Sequence, residues 1–355
     1  MKKILLGILL FAIDGAAMFL FRRFPSFFFP VYRNYSKKWI ALLSSLSAGF
    51  SFAVWDILAL CIVIILIITL IMSIKKHFLL KWISSVFLLV SVLAFVAVCG
   101  WMLNHYAPKL SEELSLEVNE YSIDQLYETC DYYFRKAGEY ALTVQRDSEG
   151  HVLPYDLKEI GEMAGNSSRK LGETYPIFVG SYDRVKKLSL VGEYLMYNGI
   201  IGMFMPVTGE SGVPGSVPTV VLPFTMAHEA GHRLSLAAEE QANFAAYLAC
   251  VNSDDERFIY SGYYNAFSYC FSSLYQNDQQ KAMELFHKYD EDTGISLLKL
   301  DRQDTSAVYR KYESPLKEVS DQINDTYLKT FDEESGIKSY GEVTDYLIAW
   351  YLSGR

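Results

Sequence analysis

The stretch Leu222-Pro223-Phe224-Thr225-Met226-Ala227-His228-Glu229-Ala230-Gly231-His232, continued by Arg233-Leu234-Ser235-Leu236-Ala237-Ala238-Glu239-Glu240-Gln241-Ala242-Asn243, decides the reading of this chain. His228 and His232 stand four residues apart, so on a helix both rings leave one face, one turn apart, and can meet one ion. Neutral imidazole is a natural zinc ligand, and a catalytic zinc site keeps one position open for water. Glu229 follows the first histidine and flanks that face. From there it can take a proton from the attacking water and pass it to a leaving amine.

A third protein ligand is required, and Glu239 or Glu240 offers it. Glu239 returns to nearly the same helical face as His232, but an unbroken helix would carry it about 10.5 Å further along the axis. The segment 233–238 must therefore turn, with Ser235 placed to cap a second helix. Glu239 then falls in the first turn of that helix. Asn243, one turn on, can hydrogen-bond a ligand from behind. The HExxH spacing alone also describes an exposed helix with two surface histidines. The approach of a strand-like segment, an acid at workable spacing and small neighbouring residues favour the metal site.

Working outward, residues 199–206 and 218–223 are short, β-branched and bounded by Gly and Pro, as strands are. The loop 207–217 between them could border a substrate cleft, because an edge strand is a usual holder of extended peptide. Helical spacing runs over 111–145 and 156–171, and the chain turns helical again after Phe224. The fold class expected is α+β and mostly helical, with a small sheet.

Charge divides the chain. Residues 1–103 hold ten of the 32 basic residues and two of the 41 acidic ones, Asp14 and Asp56, leaving 22 and 39 for the remainder. A basic apolar third joined to an acidic two-thirds reads as a membrane domain over 1–103 and a soluble domain over 104–355. The acidic part lacks the basic stripe that nucleic acid would need. Transmembrane helices are expected at about 4–21, 52–73 and 83–103, each near the length that crosses about 30 Å of hydrocarbon. A cleaved signal peptide is the alternative for the first.

Lys2 and Lys3, with Lys75, Lys76 and Lys81 in the second short connection, suit a cytoplasmic side and put the soluble domain outside the cytoplasm. The segment 22–51 opposes this with five basic residues, yet its aromatics and later apolar run suit a segment in the membrane interface. Cys130, Cys250 and Cys270 lack zinc-ribbon spacing and read as buried thiols rather than a disulfide framework.

The quoted motif, with the run from Ala238 to Cys250 and Gly336-Ile337-Lys338-Ser339-Tyr340-Gly341, resembles an uncharacterised bacterial membrane family assigned to the zincin-like (gluzincin) metallopeptidases. The resemblance implies a zincin-like domain, zinc held by His228, His232 and Glu239, and Glu229 as catalytic base. Its Glu-x-x-Ala-Asn pattern favours Glu239 over Glu240. Family members usually carry Gly in the turn after the second histidine, where this chain has Ser235. Gly takes positive φ freely and Ser does not, which leaves open an altered turn or a displaced ligand.

Tyr340 is a candidate for polarising the scissile carbonyl. Asp14 and Asp56 are costly in a membrane and are candidates for function there. The expected activity is hydrolysis of a peptide or protein substrate by a membrane-anchored zinc hydrolase. The competing reading is a non-catalytic membrane receptor or scaffold on the same fold, against which the intact Glu229 speaks.

Overall fold

Three of the first four helices owe their form to composition. In the computed structural model, which describes residues 1–330 and 339–355, α1 (Lys2–Arg23), α3 (Val54–Lys75) and α4 (Leu79–Gly100) are each 22 residues long. At about 1.5 Å per residue each covers the hydrocarbon thickness. Among the described residues they head the three segments long and apolar enough to cross a membrane, the third continuing to Tyr106. The chain is therefore membrane-associated, and the third span begins four residues earlier than its apolar run suggests.

Close packing of α1 on α4 depends on Gly7, where a Cβ would lie 2.5 Å from the Phe87 ring. Asp14 is buried between them and accepts a long 3.5 Å bond from the Cys99 thiol.

Helix α2 (Pro25–Ala48) follows α1 after the single residue Phe24. Phe29, Tyr32, Ser36, Ile40, Ser44 and Ser47 form its buried stripe at helical spacing. This face meets the remainder of the chain: Lys37 Nζ donates to the Ile177 carbonyl at 2.5 Å, Ser44 Oγ to Asp183 at 2.6 Å, and Arg33 pairs with Glu113.

Two carboxylates lock α3 to the sheet-bearing region of the chain. The backbone N–H groups of Val54 and Trp55 donate to Glu210 at 2.9 Å, satisfying donors that a helix start leaves orphaned. In return, Asp56 accepts from the backbone N–H groups of Ser189, Leu190 and Val191. Asp56 is thus used as an anchor. Buried Glu210 also pairs with buried Lys186 at 2.8 Å.

Beyond a 3-10 turn at Met102–Tyr106 come α5 (Leu110–Glu113), α6 (Ile123–Ala141) and α7 (Leu157–Thr174). Ser122 and Gln125 close a capping box on α6, and Asp156 caps α7. The order continues β1 (Lys186–Leu188), α8 (Gly192–Tyr197), β2 (Met203–Met205) and β3 (Glu210–Pro214). Helices α9 (Leu222–Arg233), α10 (Glu239–Val251), α11 (Glu256–Asn277), α12 (Gln279–His287), α13 (Thr293–Lys311), α14 (Leu316–Thr330) and α15 (Ser339–Leu352) complete the chain. The fold is mostly helical with one small mixed sheet of order β1-β3-β2, parallel in its first pair and antiparallel in its second.

The sheet corrects two expectations. Residues 218–223 are not a strand: they form a turn leading into α9, whose Pro223 sits in the first turn. Proline there loses only an N–H that a helix start cannot bond anyway, and a short apolar run does not distinguish strand from helix. The expected loop 207–217 instead contains β3, fully buried at the sheet centre.

Helix α11 packs against α6, α9, α10 and α15 around Phe134, Tyr133, Phe244 and Phe267. Cys130, Cys250 and Cys270 lie free in this core. Arg146 reaches buried Asp301 through two bonds of 2.9 and 2.8 Å, and the Tyr260 hydroxyl donates to the same carboxylate.

Candidate metal centre

Helix α9 carries His228, Glu229 and His232, and its end brings the next acid back to them. Ser235 has φ of +70°. Its N–H bonds the His232 carbonyl at 2.9 Å, and the Leu236 N–H bonds the Gly231 carbonyl at 3.3 Å. These two bonds around a left-handed residue are the Schellman pattern of helix ends. The expected turn is therefore present, and Ser235 holds the left-handed conformation usual for glycine. It does not cap the next helix: the residue before α10 is Ala238, which makes no side-chain cap.

Glu239, the first residue of α10, lands against both histidines. Its Oε2 lies 3.3 Å from His228 Nε2 and its Oε1 lies 3.8 Å from His232 Nε2. The two rings are perpendicular, with centroids 4.6 Å apart. One potential ligand atom from each residue lies within 4.8 Å of the others, so the three can hold a metal ion. His232 Nδ1 is 2.7 Å from the Leu236 carbonyl, a bond that fixes its proton there and leaves Nε2 as a donor to metal. Glu240 does not join them and influences Tyr346 instead.

Electrostatics match that donor set. Burial alone would raise Glu239, but the His228 bond and the two imidazoles outweigh it and hold the carboxyl down at about 2. Burial and neighbouring His228 depress His232 to about 4, keeping it a neutral ligand. Burial also opposes charge on His228, yet contact with Glu239 shifts it upward.

Glu229 is 4% exposed, and its Oε2 has no hydrogen-bond partner among the described residues. Burial pushes this carboxyl up to about 8, with His228 opposing and Glu239 adding to the rise. Beside a divalent cation it would be drawn back toward its ionised form. A buried carboxylate with one unpartnered oxygen, within the electrostatic reach of His228 and Glu239, has the chemistry a metal-dependent base requires.

Several contributors lie outside the motif. Gly202, directly before edge strand β2, touches Glu229 so closely that a Cβ there would lie 2.2 Å from Oε1. Ser211 on β3 donates to the Glu229 carbonyl at 2.6 Å. Trp101, the first residue beyond α4, donates its indole N–H to the His232 carbonyl at 2.9 Å and stands edge-on to both His232 and His105. The Tyr269 hydroxyl donates to Asn243 at 3.2 Å, and Tyr327 bonds His105 at 3.0 Å. Asn243, expected to support a ligand from behind, accepts from Tyr269 and also acts on the His228 ring through its side chain, favouring the charged imidazole. The Tyr340 side chain lies outside the described residues.

Only one of these had a sequence signal. A glycine within a strand-like run marks close backbone approach, and Gly202 stands in such a run. Nothing in the local sequence links Trp101 to a residue so far along the chain.

Residues 32–348 match the model of a family described as "Protein of unknown function (DUF3810)". The chain belongs to this family. No curated protein and no solved structure matches it. The matched segment starts within α2 and reaches α15, so the family unit contains both the metal-ligand candidates and the membrane-proximal helices against which they pack.

Proposed function

We propose that this protein is a membrane-anchored, zinc-dependent peptidase with a zincin-like site. The observation that carries this reading is the left-handed turn at Ser235, which closes Glu239 onto His228 and His232 beside the orphaned carboxylate of Glu229. His228, His232 and Glu239 would hold zinc, which supplies a Lewis acid for polarising a carbonyl and acidifying water. Glu229 accepts the proton of the attacking water and returns it to the leaving amine. Gly202 sets the position of that carboxylate. Edge strand β2, just beyond it in the chain, offers unpaired backbone groups to an extended peptide.

Sidedness accords with the same reading. Lys3 bonds Ser85 at 2.7 Å, which sets the start of α1 beside the start of α4 and the lysine-bearing connection before it. The metal-ligand cluster packs at the opposite end, where Trp101 meets His232. The five lysines at that end favour the cytoplasmic face. Of the five basic residues at the cluster end, Arg33 and Lys37 are engaged with the rest of the chain, so the cluster would lie outside the cytoplasm.

The test uses the full chain purified in detergent without chelators. The unaltered protein, and Glu229→Gln, should each hold about one zinc, whereas His228→Ala, His232→Ala and Glu239→Ala should lose it. Cleavage of a quenched fluorescent peptide pool should require zinc and vanish in Glu229→Gln. An unaltered chain that binds no zinc refutes the proposal.

A further inference from the structure

Helix α2 has two unlike faces. The inner one packs against the metal-bearing part of the chain. The outer one exposes Phe24, Phe27, Val31, Tyr35, Leu42 and Leu46, between 49% and 77% of each side chain surface. Their spacing of mostly three or four residues draws one apolar line along the helix. Lys38 sits in the gap between Tyr35 and Leu42, where a long side chain can reach toward headgroups. An exposed apolar stripe of this length needs an occupant.

Connectivity identifies it. Phe24 alone joins α2 to span α1, and residues 49–53 join it to span α3, so both ends are pinned where spans leave the hydrocarbon. The helix cannot recross, because its inner face is bonded to residues beyond the third span. The exposed basic residues Arg22, Arg23 and Lys38 suit an anionic lipid surface, whereas Arg33 and Lys37 are engaged on the inner face. The outer face therefore meets lipid.

The inner face supports the metal turn. Ser36 Oγ lies 3.4 Å from Ser235 Oγ and accepts from Asn104 at 2.8 Å. Ile40 packs with Trp101, Phe204 and Ala237, joining α2, the end of α4, edge strand β2 and the segment leading to Glu239. One helix thickness, about 10 Å, thus separates the turn between His232 and Glu239 from lipid. Phe204 of β2 lies on Trp101 with centroids 5.0 Å apart, so the edge strand begins at the same level.

We infer that α2 is a platform embedded in one leaflet, and that the substrate is a polypeptide tethered to the same bilayer and cut close to its anchor. The second half of this inference rests on the proposed peptidase activity. A centre whose closing turn is held about 10 Å above lipid can reach bonds within several residues of an anchor, since extended chain covers about 3.3–3.6 Å per residue.

Two measurements test it on the full chain in nanodiscs of phosphatidylethanolamine and phosphatidylglycerol. A photo-crosslinking amino acid at Leu42 or Leu46 should capture phospholipid, and the same group at exposed Tyr275 should not. Failure at both α2 positions refutes the platform whatever the activity. In the second, a cleavable peptide is supplied free, on a distearoyl anchor with a two-residue spacer, or on that anchor with a long polyethylene glycol spacer. The short-tethered peptide should be cut about tenfold or more faster than the free one, as tethering raises effective concentration. Resistance of the short-tethered peptide while the free or long-tethered form is cut overturns the substrate class. No cleavage of any form by zinc-loaded chain sinks the peptidase reading itself, with the lipid crosslinks still deciding the placement of α2.

Discussion

Replacing Gly202 with alanine should disable the proposed base while leaving the metal ligands in place. The new Cβ would lie 2.2 Å from Glu229 Oε1 and 2.8 Å from both Cδ and Cγ. Ordinary contact between such atoms lies near 3.5 Å, so the carboxylate must retreat by about 1 Å or more. Glu229 is nearly fully buried, and its helix is held from behind by the bond between Ser211 and the Glu229 carbonyl, so the side chain takes most of the shift. Misplacing a reacting group by about 1 Å costs about a hundredfold in rate, or about 2.7 kcal/mol of barrier. None of His228, His232 or Glu239 is among the nearest atoms to the added methyl. The assay compares the unaltered chain, Gly202→Ala and Glu229→Gln for zinc per chain, thermal unfolding and turnover of the peptide pool. The expected result is full zinc, an unfolding midpoint lowered by overpacking worth about 1–3 kcal/mol, and a kcat near 1% of the original. Unaltered turnover would refute the link between Gly202 and the base, and lost zinc would show that the clash is relieved through the ligands instead.

Three further outcomes rest on the same kind of contact. Trp101→Phe keeps the ring but removes the indole donor on the His232 carbonyl, and should weaken zinc affinity about tenfold in a competition titration; unchanged affinity would count against a role for the span end. Ser235→Gly should stabilise the chain by up to about 1 kcal/mol by relieving the left-handed backbone, whereas Ser235→Val should destabilise it by more, both read by thermal unfolding. Asp301→Asn leaves the Arg146 guanidinium buried without its counter-charge and should cost about 3–5 kcal/mol, read from the unfolding midpoint; a loss below about 1 kcal/mol would contradict this.

The parts of this architecture that could be read from sequence are those written in local periodicity. The three spans announce themselves by apolar length, interrupted by charge only at Asp14 and Asp56, and the histidine pair by spacing. The need for a turn before Glu239 comes from helix rise alone. What local pattern hides is any choice settled by distant contact. Residues 218–223 have the composition of a strand, but Pro223 fits a helix start and the sheet takes 210–214 instead, where β1 and β2 pair with it. Strand β1 is three residues long and is held by a buried lysine–glutamate pair rather than by a recognisable alternation. The conformation of Ser235 could not be inferred either, since its side chain disfavours the backbone that the surrounding turn imposes. Trp101 belongs by sequence to the end of a span, and its bond to His232 depends on how the two halves of the chain dock.

The paired carboxylates at the start of α3 bear on how this molecule would meet its targets. Glu210 holds the first N–H groups of the span, while Asp56 of the span holds N–H groups of the segment before α8. A connection fastened in both directions leaves no loose stalk to swing on. An enzyme on a flexible tether samples a volume, and its rate depends on the concentration of target in that volume. As the proposed peptidase, this chain would stand at fixed height and gain access only by lateral diffusion of itself or its target. Its working rate would then scale with target molecules per unit area of membrane, and crowding within the bilayer would govern it more strongly than any change in the surrounding solution.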